Sequence, residues 1–151
     1  MLVYRLPRTP STPRITLWRK LRRMGVAQIA EGVVALPATA DTREQLEWLA
    51  DDVVQAGGEA TIWLAEPTTA AEHRRLAAAM TGRIDEEYRS ITAEAHAAMR
   101  HSATERRRTL ARLRRELRRV AAREYFSTDQ ADLAREAVEA LANAVAAEAA
   151  A

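Results

Sequence analysis

The five prolines stand at positions 7, 10, 13, 37 and 67, and beyond Pro67 the chain has no further proline and a single glycine, Gly82. Proline fixes φ and removes a donor, while glycine admits left-handed backbone, so the two are the strongest local punctuation a chain carries. The first part of the molecule is therefore cut into short segments. The remainder is free to run as helix.

Within the punctuated part, Leu2, Tyr4 and Leu6 alternate with Val3 and Arg5, the period of a half-buried strand. Pro10 to Pro13 read as a turn in which Ser11 or Thr12 caps a helix with Pro13 at its first position. Leu17, Trp18, Leu21 and Met24 then fall within an arc of about 120° at helical spacing, and Gly25 closes the helix. "VAQIAEGVVALPA" reads as two short strands meeting at Glu31-Gly32, with Ile29, Val34 and Leu36 pointing inward. A second helix starts at Asp41 or Thr42, turns Leu46, Leu49, Val53 and Val54 to the sheet, and ends at Gly57-Gly58. "EATIWLAEP" supplies a fourth strand. The order β-α-β-β-α-β predicts an α+β fold, a ferredoxin-like βαββαβ sandwich over residues 1–67 with both helices on one face of an antiparallel sheet.

Residues 68–151 read as an α-helical hairpin or three-helix extension. Leu76, Met80, Ile84, Tyr88, Ile91, Ala95 and Met99 step by three or four, with Gly82 a point where the helix can split. Ser102 with Glu105 forms a capping box, after which Leu110, Leu113, Leu117 and Val120 make a narrow seam of coiled-coil type. Ser127 with Gln130 reads as another box, opening a last helix through Leu133, Val138, Leu141 and Val145.

Only 5% of the residues are aromatic and much of the 48% hydrophobic content is alanine, so Trp18, Trp48 and Trp63 are expected to be the large anchors. Trp63, on an edge, is expected to pack against the helical part or a second subunit. The net charge of +2 conceals segregation: residues 1–30 carry +7, 31–72 carry −8, 100–123 carry +8 and 124–151 carry −5. Such blocks attract partners or neutralise one another. With 22 arginines and one lysine, position weighs more than count. No apolar run approaches the roughly 18–20 residues that span a bilayer, and no membrane role is expected. The acid-free, Arg-rich start is not read as a transit peptide, because "LVYRLP" reads as a strand. The absence of cysteine excludes disulfides and thiolate chemistry and fits a reducing, cytoplasmic setting.

Catalytic motifs are missing: no Gly-rich phosphate loop, no activated serine and no paired ligand motif. His96 and His101 lie about 140° apart on a helix and cannot share a metal, and His73 has no partner at useful spacing. Asp85, Glu86 and Glu87 point in different directions on a helix. No enzyme, metal or cofactor is expected. An RNA-binding sheet of this topology would display several aromatics, which are lacking.

Two basic helices remain. Arg19, Lys20, Arg22 and Arg23 lie opposite an apolar stripe, and Arg112, Arg115 and Arg119 belong to an Arg-rich helix of about 27 Å, comparable to most of a DNA turn. Both groups are candidate DNA contacts. Ser11, Thr12 and Arg14, at the free N–H groups of a first helical turn, are a candidate anion site. The competing account is internal: the first helix pairs with Glu44, Glu47, Asp51 and Asp52, and the second with the acidic C-terminal helix. Both accounts stay open here.

The residues "VYRLPRTPSTPRITLWRKLRRMGVAQIAEGVVALPAT" and "REQLEWLADDVVQAGGEATIWLAE", followed by "DEEY", the Arg/Leu helix and "EYF", resemble the N-terminal domain of the chromate resistance regulator ChrB family. The matching positions are Leu6-Pro7, Pro10-Ser11, Arg14, Trp18-Arg19, Gly25, Gly32, Leu36-Pro37 and Gly57-Gly58. The resemblance implies a chromate-responsive transcriptional regulator that binds promoter DNA. Of the candidate contacts it supports Ser11, Arg14 and Arg19, whereas Lys20, Arg22, Arg23 and the Arg112–Arg119 group rest on charge placement alone. More distantly the sandwich resembles a metal-dependent nuclease-like subunit with an Asp at the end of its first strand. Arg5 stands there in this chain, a cation that repels a divalent metal, so nuclease activity is not expected. An edge strand and the leucine seam both suggest a homodimer. The alternatives are an interaction or oligomerisation module without DNA binding, and a sensor of an oxyanion such as chromate or sulfate.

Overall fold

A computed structural model describes residues 1–150. In order, its elements are β1 (Leu2–Arg5), α1 (Thr12–Met24), β2 (Ala27–Ala30), β3 (Val33–Ala35), α2 (Ala40–Gln55), β4 (Glu59–Ile62), α3 (Ala70–Ala98), α4 (Ala103–Ala121) and α5 (Asp129–Ala150). The chain is α+β and mostly helical, with five helices and one small antiparallel sheet ordered β2-β3-β1-β4. β-α-β-β-α-β describes its first six elements only; the order of the whole chain departs from it because three helices follow. Two compact units divide at Met80 and Thr81, inside α3. That helix continues through Gly82, where an added Cβ would meet nothing within 4 Å, so the glycine does not split it.

In the first unit, Leu2 and Val34 from the sheet meet Leu17 and Leu21 of α1 and Leu46, Leu49 and Val53 of α2, all buried. α2 begins earlier than its acidic residues suggest. Thr39 is the cap: its hydroxyl accepts the Thr42 N–H at 3.2 Å, and the Thr42 hydroxyl accepts the Thr39 N–H at 3.1 Å. Gly25, at φ 69, ends α1 in the left-handed conformation expected of a glycine C-cap.

Several inward assignments are corrected. In β2, Gln28 pairs with Val34 and Ala30 with Val33, so Ile29 is the extra residue of a bulge; it is turned outward and Ala27 is buried instead. Val54 is exposed. All three tryptophans are surface residues, with Trp18, Trp48 and Trp63 exposed to 55%, 63% and 56%. Their place in the core is taken by leucines and valines, and Trp18 lies too far round α1 from Leu17 and Leu21 to join them.

The second unit has its own core, in which Tyr88, Ile91, Leu113, Val120 and Leu141 are almost fully buried. α5 contributes Ala131, Ala134, Ala137 and Val138 to it, while Leu133 points to solvent. Small side chains at those positions allow close helix contact. Ser102 caps α4 as expected, its N–H and hydroxyl donating to Glu105 at 3.1 and 2.7 Å, bonds that hold the Glu105 carboxyl below its usual range. The cap of α5 is Thr128, whose hydroxyl accepts the Ala131 N–H at 3.2 Å, one residue later than the expected Ser127.

Candidate nucleic-acid and anion interfaces

At the end of β1 the chain leaves the sheet through Leu6–Ser11, a segment holding a cis Thr9–Pro10 bond, and enters α1. Two glycine turns press on the backbone there. Gly32, at φ +72, lies so close that an added Cβ would stand 2.3 Å from the Tyr4 carbonyl oxygen, and a Cβ on Gly58 would stand 2.4 Å from that of Arg5. The Tyr4 N–H donates to the Gly32 carbonyl at 2.7 Å. These contacts shape an open cleft of about 1180 Å³.

Of the positions that carry the resemblance, Leu6, Pro7, Ser11, Arg14, Trp18, Gly32, Gly57 and Gly58 line this cleft together with Tyr4, Arg8 and Glu31. Arg5 is bridged to Glu59 at 3.3 Å across the surface. Arg8 and Arg14 have no carboxylate at ion-pairing distance among the described residues. Burial pushes the Tyr4 phenol up; the Arg14 charge opposes that and Glu31 adds to it.

The expected anion trio is split. Ser11 and Arg14 face this cleft, but Thr12 lines a smaller one of about 410 Å³ between α1 and the end of α2. Consecutive residues of a helix diverge by about 100°, so Ser11 and Thr12 cannot both face one ligand from this start.

Along α1, Lys20 is bound to Asp52 of α2, among the described residues the one ion pair made by the expected pairing of these oppositely charged helices. Any phosphate at Lys20 competes with that carboxylate. Arg22 lies over the Trp18 ring, 4.7 Å from its centroid, a cation–π contact that leaves its charge exposed. Arg19, Arg22 and Arg23 are exposed and, among the described residues, without a carboxylate partner.

α4 divides its arginines sharply. Arg106 is bound to Glu148 of α5, among the described residues the single ion pair between α4 and the acidic C-terminal helix. Arg112 is bound to Glu94 and sits 3.3 Å from Glu116, and Arg119 is 3.3 Å from the other oxygen of Glu116. Of the three expected contacts only Arg115 is unpaired. Four others were not singled out from the sequence: Arg107, Arg108, Arg114 and Arg118 are exposed and carboxylate-free among the described residues. With Arg115 they fall within an arc of about 120° at 100° per residue, away from the buried Leu113 and Val120. The signal was present in the spacing, since Glu116 stands four residues after Arg112 and three before Arg119.

No helix is long and apolar enough to cross a membrane among the described residues. Neither the curated proteins nor the solved structures yield a match. Residues 14–150 match the protein family described as "Protein ChrB, N-terminal", a span that opens within the first turn of α1, so that β1, Ser11 and Thr12 precede it. On that match, which covers most of its length, the chain belongs to the ChrB N-terminal family.

Proposed function

We propose that this chain is a cytoplasmic, non-enzymatic regulator of chromate-resistance genes, with a ferredoxin-like first unit and a helical second unit, and that it binds promoter DNA through the outward face of α4. The observation that carries the reading is the stripe Arg107, Arg108, Arg114, Arg115 and Arg118, five guanidinium groups without a carboxylate partner among the described residues, along a 19-residue helix. Such a helix is about 28 Å long, close to one turn of duplex. Guanidinium groups bind phosphate in a planar, bidentate manner, and one-signed charge along a rod matches the DNA backbone. Phosphate contacts position a protein without reading sequence. Operator choice then requires base contacts or DNA shape in addition.

Five phosphate contacts give a slope of about −4.5 in log K against log salt. Fluorescence anisotropy with duplex from upstream of a chromate-resistance gene, titrated at several salt concentrations, reads it. Replacing the five arginines with glutamine is expected to flatten the slope and reduce affinity at least a hundredfold. Binding that keeps its affinity and slope in that variant refutes the assignment.

The cleft supports a second reading, an oxyanion effector such as chromate held by Arg8, Arg14 and Ser11. Both arginines are unpaired and border the same cleft. Calorimetry with chromate is expected to show binding lost in Arg14→Ala. No heat at millimolar chromate rejects it.

A further inference from the structure

We infer that the outward face of α1 and α2 is a self-complementary surface that takes a second copy of this chain, α1 of each protomer lying over α2 of the other. The inference does not depend on α4 binding DNA. On this face Arg19, Arg22 and Arg23 of α1 stand beside Glu44, Glu47 and Asp51 of α2, all exposed. Among the described residues the sole bridge between the helices is Lys20 with Asp52, and Glu47 meets only Arg43 on its own helix, at 2.8 Å. Each protomer thus presents a positive strip and a parallel negative strip.

Apolar surface that a lone protomer leaves in water adjoins it: Trp48 on α2, exposed to 63%, and Trp18 and Ile15 on the flank of α1 that borders the cleft, exposed to 55% and 47%. Aromatic side chains ringed by charge are the composition of an interface centre.

The register follows from the Lys20–Asp52 bridge and from the start of α1 lying beside the end of α2, where Thr12, Val53 and Ala56 share one cleft. The helices are antiparallel, so Arg19 is level with Asp51. One turn further along α1, about 5.4 Å, Arg22 and Arg23 are level with Glu47 and Trp48. A two-fold axis parallel to the helices and between them keeps those heights and exchanges the strips. Arg19 then faces Asp51 of the other copy while Arg22 and Arg23 share its Glu47, and both halves of the contact are identical, as closed dimers require. A basic strip alone would suit any polyanion. The acidic strip beside it repels one and fits a second copy.

Sedimentation velocity of the full chain is expected to show a species at twice 16.8 kDa. The triple variant Arg19→Glu/Arg22→Glu/Arg23→Glu and the triple variant Glu44→Lys/Glu47→Lys/Asp51→Lys each bring like charges together in both halves. Each is expected to dissociate at least a hundredfold more readily. Mixed in equal amounts they restore opposite charges in both halves and are expected to form a heterodimer, which also shows that both variants are folded. A wild-type chain that is monomeric at 100 µM (about a hundred times a micromolar Kd), dimers that persist in either variant, or variants that fail to associate when mixed would each overturn the inference. A monomer whose affinity for duplex DNA falls with the arginine changes would assign the face to DNA instead.

Discussion

Replacing Gly32 with alanine tests the most demanding local feature of the cleft. Two costs arise. At φ +72 a side chain is strained by roughly 1 kcal/mol. The new Cβ also meets the Tyr4 carbonyl oxygen at 2.3 Å, so the turn must retreat by roughly 1 Å to reach van der Waals separation. That retreat stretches the 2.7 Å bond from the Tyr4 N–H to the Gly32 carbonyl, and an unpaired N–H costs about 1–3 kcal/mol more. The sum is about 3 kcal/mol. The fold supplies its own controls. Gly57 has φ +78 but nothing within 4 Å of an added Cβ, so Gly57→Ala carries strain alone, about 1 kcal/mol. Gly58→Ala carries the clash without a positive φ, its Cβ meeting the Arg5 oxygen at 2.4 Å and Val53 at 2.8 Å. Urea unfolding followed by tryptophan fluorescence measures the right unit, because Trp18, Trp48 and Trp63 all precede Thr81. With an m-value of about 1.5 kcal/mol/M, Gly32→Ala is expected to lower the midpoint by about 2 M and Gly57→Ala by less than 1 M, with Gly58→Ala between. Equal losses at Gly32 and Gly57 would mean that the close approach to β1 is not what requires the glycine.

Tyr88 is fully buried and its hydroxyl donates to Glu124 at 2.6 Å, so Tyr88→Phe is expected to destabilise the helical unit by about 1–2 kcal/mol in a thermal melt read by circular dichroism. Burial first, then the bond to Glu124, raises the Tyr88 phenol above its usual 10.0. Its stabilising contribution is therefore complete below about pH 10 and declines as the pH rises further, when the unfolded phenol ionises and the folded one does not; the alkaline loss of stability should be shallower in Tyr88→Phe. Leu113→Ala, at a site with no exposure, should cost about 2–5 kcal/mol. Leu133→Ala, at a site 47% exposed, should cost under about 1 kcal/mol, and a reversal of that order would contradict the way α5 is turned. Glu116→Ala releases Arg119 and removes one of the two carboxylates at Arg112. The DNA salt slope should then steepen by about one unit, and an unchanged slope would place both arginines outside the interface.

Much of the architecture was legible because its signals are local. Turn glycines, strand alternation and the Ser102–Glu105 box need only neighbouring residues, and each produced the element it announces. Side-chain direction was less legible wherever two solutions share one pattern. Trp18 fits an apolar arc with Leu17, Leu21 and Met24, yet three of those four positions suffice to cover the sheet and the fourth stacks on Arg22. Ile29 alternates correctly as a strand residue, but a bulge shifts register, and nothing in "AQIA" reports a bulge. In α5 the preference for Leu133 over alanine as a core residue followed hydrophobicity, whereas close helix packing selects the small side chains.

The charged sites were legible only in part for a related reason. Block sums suggest that a segment of +7 beside one of −8 neutralises itself, yet α1 and α2 form one bridge between them. Two helices packed on a sheet touch along one flank, and only side chains on that flank reach across. Lys20 and Asp52 occupy it; the remaining charges point away from the sheet, where separations and water weaken attraction within the protomer. Spacing separates the paired arginines of α4 from its free ones, since Glu116 reaches Arg112 and Arg119, four and three residues away, but not Arg114, Arg115 or Arg118, one or two residues away. What remains unpaired differs in kind between the units. The first is left with both signs on one face, a pattern that a second copy can satisfy. In the second, the outward arginines of α4 carry one sign along a rod, a pattern that suits an extended anion.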